Sequence, residues 1–315
     1  MRLALPVAFV TVLLGLAAPP AFGSYLVDRN AKAVKLQVDA GGHALVSYLA
    51  NGAQKHVLVS GAVNALPPTR GEAQVAFKVD YSGGYKTLRK ANYFKTIKNV
   101  CRAYKGPKLA WLVTACTAPD GSSWALQAWQ RMLPNLGFKP WRPDQSVLEL
   151  RISHWKGPIA QIDVFPNWAW GNQYRQLVGQ YMYDGKPVFG FGSTSVGAPT
   201  DAYGRNMYLD TFGSAYSPSG WARENSFLAS ATNGRFCYSL GPRPPYSGYP
   251  KSGPRQGDGK MYRITAEGPG VTPDVMWDGQ DLGPFDAANA ADAKLEQDAN
   301  ARVQALSFTS EQCHS

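Results

Sequence analysis

Arg205, Asp210, Arg223 and Glu224 stand among glycines and aromatic rings in YGRNMYLDTFGSAYSPSGWARENSFL, residues 203–228. Two carboxylates held roughly 5 to 9 Å apart across a cleft can hydrolyse a glycosidic bond, one as acid and the other as base or nucleophile. Asp210 and Glu224, with Asp201 nearby, are the residue types such a reaction needs. No spacing in the segment brings two of them that close. If it is extended, Met207 and Leu209 alternate with Tyr208 and Asp210, which sets Asp210 on the face opposite the apolar pair. A carboxylate beside arginines has a second use, since a hydrogen-bonded pair fixes loop geometry without leaving either charge alone. The pattern favours that structural pairing over ligand binding, and ligand binding over catalysis.

A second candidate is FPNWAWGNQYR, 165–175, where Trp168 and Trp170 are two residues apart and share a side if the segment is extended. With Tyr174 they would offer flat faces on which a pyranose ring can stack while Asn and Gln take its hydroxyls. The competing use of such rings is to fill the core, because aromatics dominate buried area. The ligand-binding candidates are therefore Trp168, Trp170, Tyr174, Arg205, Asp210, Arg223 and Glu224.

The third candidate is a matter of charge. The formal net charge is +10, and its placement is uneven. Between Tyr81 and Pro119 there is no acidic residue, while Lys86, Arg89, Lys90, Lys95, Lys98, Arg102, Lys105 and Lys108 supply eight cations. A field of one sign attracts polyanions and speeds their encounter at low salt. Lysine also serves to blunt exposed sheet edges. Lys86, Arg89, Lys90, Lys95 and Lys98 are the anion-binding candidates; nucleic acid is not the expected partner, because an exported, disulfide-bonded chain rarely meets it.

Other chemistries lack their residues. There is no GxSxG elbow to present a nucleophilic serine. GFGSTSVGAP, 190–199, has neither the GxGxxG spacing nor a phosphate-loop lysine, and reads as a loop between strands. No CxxC occurs, and His43, His56, His154 and His314 show none of the paired spacings of metal ligands, so neither metal nor cofactor is expected.

These candidates must be positioned by a chain bound for export. MRLALPVAFVTVLLGLAAPPAFGS has a cation at Arg2, an apolar run from Leu3 to Ala18 and small residues up to Gly23, the layout of a signal peptide over 1–23. The run is short of the roughly 20 residues that span a bilayer. Cys101, Cys116, Cys237 and Cys313 all follow it, and an even number in an exported chain reads as two disulfides. CRAYKGPKLAWLVTAC folds back at Lys105-Gly106-Pro107, which favours Cys101 with Cys116 and leaves Cys237 for Cys313.

The elements are strands. Val34, Leu36 and Val38 alternate with Lys35 and Gln37, Leu148, Leu150 and Ile152 with Glu149 and Arg151, and Ala160, Ile162 and Val164 with Gln161 and Asp163. That period of two predicts strands with one buried and one wet face. Asn51-Gly52, Asp184-Gly185 and Asn233-Gly234 are residue pairs suited to type I′ hairpins, and no helical pattern follows each strand as parallel units require. The expected fold is all-β, antiparallel and sandwich-like or jelly-roll-like, with one C-terminal helix. The proline-rich stretch 134–144 suggests an N-terminal β domain over 24–135 and a C-terminal β-sandwich over 146–285. The helix and a disulfide-tethered tail occupy 286–315, with Leu295, Ala299, Val303 and Leu306 on one helix face.

Together these features predict a secreted or cell-envelope protein that binds a glycan or an anionic wall polymer. A carbohydrate-active hydrolase using Asp210 and Glu224 is one alternative, and a structural envelope protein without ligand is another.

Overall fold

The computed structural model describes residues 24–63, 75–131, 147–169, 171–172, 174–188, 192–193, 199–200, 207–214, 217–224, 229–230, 234–240 and 259–306. The signal-peptide reading of 1–23, Trp170, Arg205, Asn233 and Cys313 lie outside them. The first half contains β1 (Tyr25–Arg29), β2 (Lys32–Val38), β3 (Ala44–Ala50), β4 (Ala53–Gly61) and β5 (Phe77–Asp80). Two single-turn helices follow, α1 (Tyr85–Leu88) and α2 (Tyr93–Thr96), then β6 (Arg102–Ala103), β7 (Leu112–Thr117), β8 (Ser123–Trp129) and β9 (Glu149–Trp155). The second half contains β10 (Gln161–Ala169), β11 (Tyr174–Tyr183), β12 (Lys186–Pro187), β13 (Gly192–Ser193), β14 (Pro199–Thr200) and β15 (Met207–Ser214). It continues through β16 (Ser217–Glu224), β17 (Ala229–Ser230), β18 (Arg235–Ser239), β19 (Met261–Ala266) and β20 (Val275–Gln280) to α3 (Ala290–Ala305).

The hairpins form where left-handed backbone is cheap. Asn51 and Gly52 adopt φ of 53° and 73° between β3 and β4, and Asp184 and Gly185 adopt 49° and 68° between β11 and β12. Both central residues of a type I′ turn need that conformation, whose twist matches the flanking strands.

Among the described residues every ladder is antiparallel. Sheet β2-β3-β4-β5 packs on sheet β1-β9-β8-β7-β6 through Val46, Tyr48 and Val57 against Trp124, Leu126 and Ile152. In the second half, sheet β10-β11-β18-β17 packs on sheet β16-β15-β19-β20 through Leu177, Tyr181 and Phe236 against Leu209, Tyr262 and Ile264. The fold is therefore all-β with antiparallel sheets, as expected. The C-terminal helix lies on the outer face of the third sheet, with Ala299 and Val303 against Phe165, Val178 and Cys237. Asn289 caps it by accepting from the N–H of Ala291.

Two expectations change. The proposed boundary puts residues 149–155 in the second domain, yet β9 is hydrogen-bonded between β1 and β8 of the first half. Alternation defines a strand but not its partner. Nor does β9 keep a wet face: all seven of its residues are buried. Leu150 and Ile152 face the first core, while Glu149 and Arg151 join a polar seam where the halves meet. There Arg151 donates to Glu149 Oε2 at 2.8 and 3.0 Å, so neither charge is buried alone.

Candidate functional site

Asp210 and Arg223 face each other across β15 and β16. Arg223 Nε donates to Asp210 Oδ1 at 2.9 Å, and its Nη1 donates to the carbonyl of Gln130 in the first half. The guanidinium carbon also lies 4.3 Å from the Tyr208 ring centre. Asp210 is 6% and Arg223 4% exposed, so this carboxylate is dry and already engaged. The pair is part of the joint between the halves. Glu224 stands opposite Leu209 in the register, one position from the pair, and Arg205 is outside the described residues.

The seam also contains charges that sequence spacing did not reveal. Arg131 Nη2 pairs with Glu267, and Asp274 Oδ1 stands 3.6 Å away. Asp274 Oδ2 accepts the indole N–H of Trp129 at 2.7 Å, and Gln127 exchanges bonds with the Asp274 backbone at 2.9 and 3.0 Å. Burial works against the charge on Arg131, but Asp274 and Glu267 outweigh it and raise its pKa above the ordinary arginine value. No local motif links residues more than a hundred positions apart.

Trp168 is core. Its indole N–H donates to the carbonyl of Gly283 at 3.0 Å, its ring meets Phe285 at 5.1 Å, and only 2% of it is exposed. A second layer, the segment leading into α3, covers the face that the spacing left open. Tyr174 is half-buried at the start of β11, and Trp170 is outside the described residues. Trp168 therefore offers no stacking platform for a sugar.

The basic stretch is built differently. Leu45 and Leu58 pair across β3 and β4 on the face turned away from the first core. Tyr93, with Leu88, Phe94 and Ile97, covers them, so α1 and α2 are held across the outer face of the sheet. Four ties fix the drape. Asp80 accepts from the hydroxyl and N–H of Ser82 and from the N–H of Thr87; Tyr93 donates to Asp39 Oδ2 at 2.6 Å; the ring of Phe94 stacks on His56 at 3.8 Å; and Cys101 is bonded to Cys116. Burial opposes the charge on Asp80, yet the bonds from Ser82 and Thr87 win and draw its pKa down to about 2. The backbone passes so close that a Cβ on Gly83 would sit 3.0 Å from His56 Cβ.

All eight cations of the stretch are exposed, and among the described residues none forms an ion pair. Lys90 and Lys95 lean over the rings of Tyr93 and Phe94 at 5.7 Å each. A shallow depression of about 210 Å³ is lined by Tyr104, Lys105, Thr117, Ser123 and Trp155. It is smaller than the roughly 300 Å³ at which ordinary ligand pockets begin.

Cys237 is also disulfide-bonded; the remaining cysteine of the sequence, Cys313, is outside the described residues. Among the described residues no three His, Cys, Asp or Glu side chains converge as a metal ion would require. None of the protein-family models, curated proteins or solved structures compared with the chain matches it.

Proposed function

We propose that the protein is a secreted or envelope-associated binding protein whose ligand is an anionic polymer, held along the stretch from Lys86 to Lys108. The observation that carries this reading is an ordered run of eight exposed cations with no carboxylate partner among the described residues. Protecting a sheet edge does not account for it, because Lys86 to Lys98 lie on a segment that crosses a sheet face. A repulsive cluster that is nonetheless pinned by Asp80, Asp39 and a disulfide is arranged to meet charge from outside the chain. The reading rests on charge, not on aromatic stacking. Asp210, engaged by Arg223, gives no support to hydrolysis.

The test is retention of the mature chain on immobilised acidic polysaccharide across a salt series. The Debye length falls from about 10 Å at 0.1 M to about 3 Å at 1 M, so elution should track salt steeply. Lys86, Arg89, Lys90, Lys95 and Lys98 changed together to glutamine should elute at much lower salt. Retention indifferent to salt, or unchanged by those substitutions, refutes the reading.

A further inference from the structure

Arg263 sits in mid-strand on β19, opposite Asp210 on β15 and Asp278 on β20. Its guanidinium carbon is 3.9 Å from the ring centre of Trp221 and 4.6 Å from that of Trp111, one indole from each half. All three side chains are half-buried. Stacking engages the faces of a guanidinium and leaves the N–H groups in its plane available to an acceptor. Among the described residues Arg263 has neither a hydrogen bond nor an ion pair. Its Nε is sealed from solvent without an acceptor, and so is Nε1 of Trp111 against which it lies.

Nε and the indole N–H are closed to an outside partner, but the two Nη groups of Arg263 are not among the sealed atoms and have no acceptor among the described residues, so they are the donors that an acceptor from outside the chain can reach. The charges of Asp210 and Asp278 act on Arg263 without an ion pair or hydrogen bond to it, and Asp210 is engaged by Arg223. A guanidinium held against rings is a fixed fork, matched to two oxygens side by side. Trp111 follows Lys108 by three residues, so their Cα atoms are within about 11 Å of each other.

We propose that Arg263, flanked by Trp111 and Trp221, is the subsite that grips one oxyanion of an acidic polysaccharide, a carboxylate or a sulfate ester. It rests on the polyanion reading for the polymer, whereas the grip on a short acidic oligosaccharide is measurable on its own.

The experiment titrates the mature chain with oligogalacturonate, a sulfated heparin-derived oligosaccharide, a neutral oligogalactan and inorganic phosphate. Tryptophan emission and the Arg263 Nε–H resonance are followed together. Both acidic oligosaccharides, or one of them, should quench emission saturably and shift the resonance, and the tighter of the two names the group. Arg263→Lys, which keeps the charge and loses the fork, should bind at least tenfold more weakly with its unfolding midpoint close to wild type. If that variant unfolds, the resonance shift in the wild type decides. The basic-stretch glutamine variant should keep this short-oligosaccharide response; its loss of column retention alone bears on the polymer reading. Equal binding by Arg263→Lys, an equal response to phosphate or to the neutral sugar, or no response at all would overturn the assignment.

Discussion

Trp129, the last residue of β8, donates its indole N–H to Asp274 Oδ2 at 2.7 Å and so ties the first half of the chain to the loop before β20. The same carboxylate accepts the N–H of Gly268 at 3.2 Å and stands 3.6 Å from Arg131. All of these partners are buried, Asp274 completely. The joint is thus hydrogen-bonded and charged where a sandwich interior is normally apolar.

Asp274→Ala should destabilise the protein by about 3 to 5 kcal/mol, because Arg131 would lose one of its two carboxylates inside the protein and Trp129 its acceptor. Urea denaturation measures this. A loss below about 1 kcal/mol would mean that water replaces the carboxylate and that the seam is wetter than its packing implies.

Asp210 and Arg223 should behave as a unit. Either Asp210→Ala or Arg223→Met alone strands a buried charge, whereas the double variant strands none. The cycle should therefore show coupling toward the upper end of the roughly 0.5 to 3 kcal/mol seen for residues in contact. Additive losses would mean that each group is satisfied by other neighbours, such as the Gln130 carbonyl in the case of Arg223.

What could be read from the sequence follows from the range of the interactions. Asn51-Gly52 and Asp184-Gly185 set their own turns, Cys101 and Cys116 are joined across 15 positions, and the Ala299 and Val303 stripe marks its helix face. Each is decided by neighbours in the chain. The fate of Trp168 was decided by Gly283 and Phe285, which no spacing can show; the pairing of Asp210 with an arginine was legible as a residue pattern, but the Gln130 carbonyl that carries Arg223 into the joint between the halves was not. The cations from Lys86 to Lys108 were legible because charge needs no partner to be counted. Arg263 stayed hidden because its two rings lie 42 and 152 positions away.

Acid should loosen the first half through His154. The ring is buried, its Nδ1 is 2.8 Å from the carbonyl of Gly61, its Nε2 is 2.9 Å from the Ser122 hydroxyl, and it stacks on Trp124 at 3.5 Å. Burial lowers its pKa, and the Gly61 carbonyl and Asp120, which push the other way, do not cancel that effect. The unfolded chain takes up a proton near its ordinary pKa of about 6.5, while the folded chain does so only at lower pH. Stability is complete above that ordinary value and declines as pH falls below it. His56, also lowered by burial, adds a change of the same sign. The melting temperature should drop between pH 7.5 and 5, and His154→Gln should flatten the drop; an unchanged slope would acquit His154.

The disulfide between Cys101 and Cys116 should stabilise the basic stretch in particular. Closing a loop of 15 positions contributes roughly 3 kcal/mol in the chain-entropy model. Cys101 follows Lys98 by three residues and precedes Arg102, so the bridge holds the exit of the cationic run at the edge of the second sheet. Replacing both cysteines with serine should lower global stability by about that amount and free this exit first. Trypsin reads the difference, since its cleavage sites are the cations themselves. Cutting after Lys98 and Arg102 should accelerate well before any cut in β3 or β8, and retention on the acidic polymer should weaken, because a mobile run must be ordered on binding. If cleavage begins elsewhere, or retention survives the loss of the bridge, the anchoring by Asp80, Tyr93 and Phe94 holds the stretch on its own.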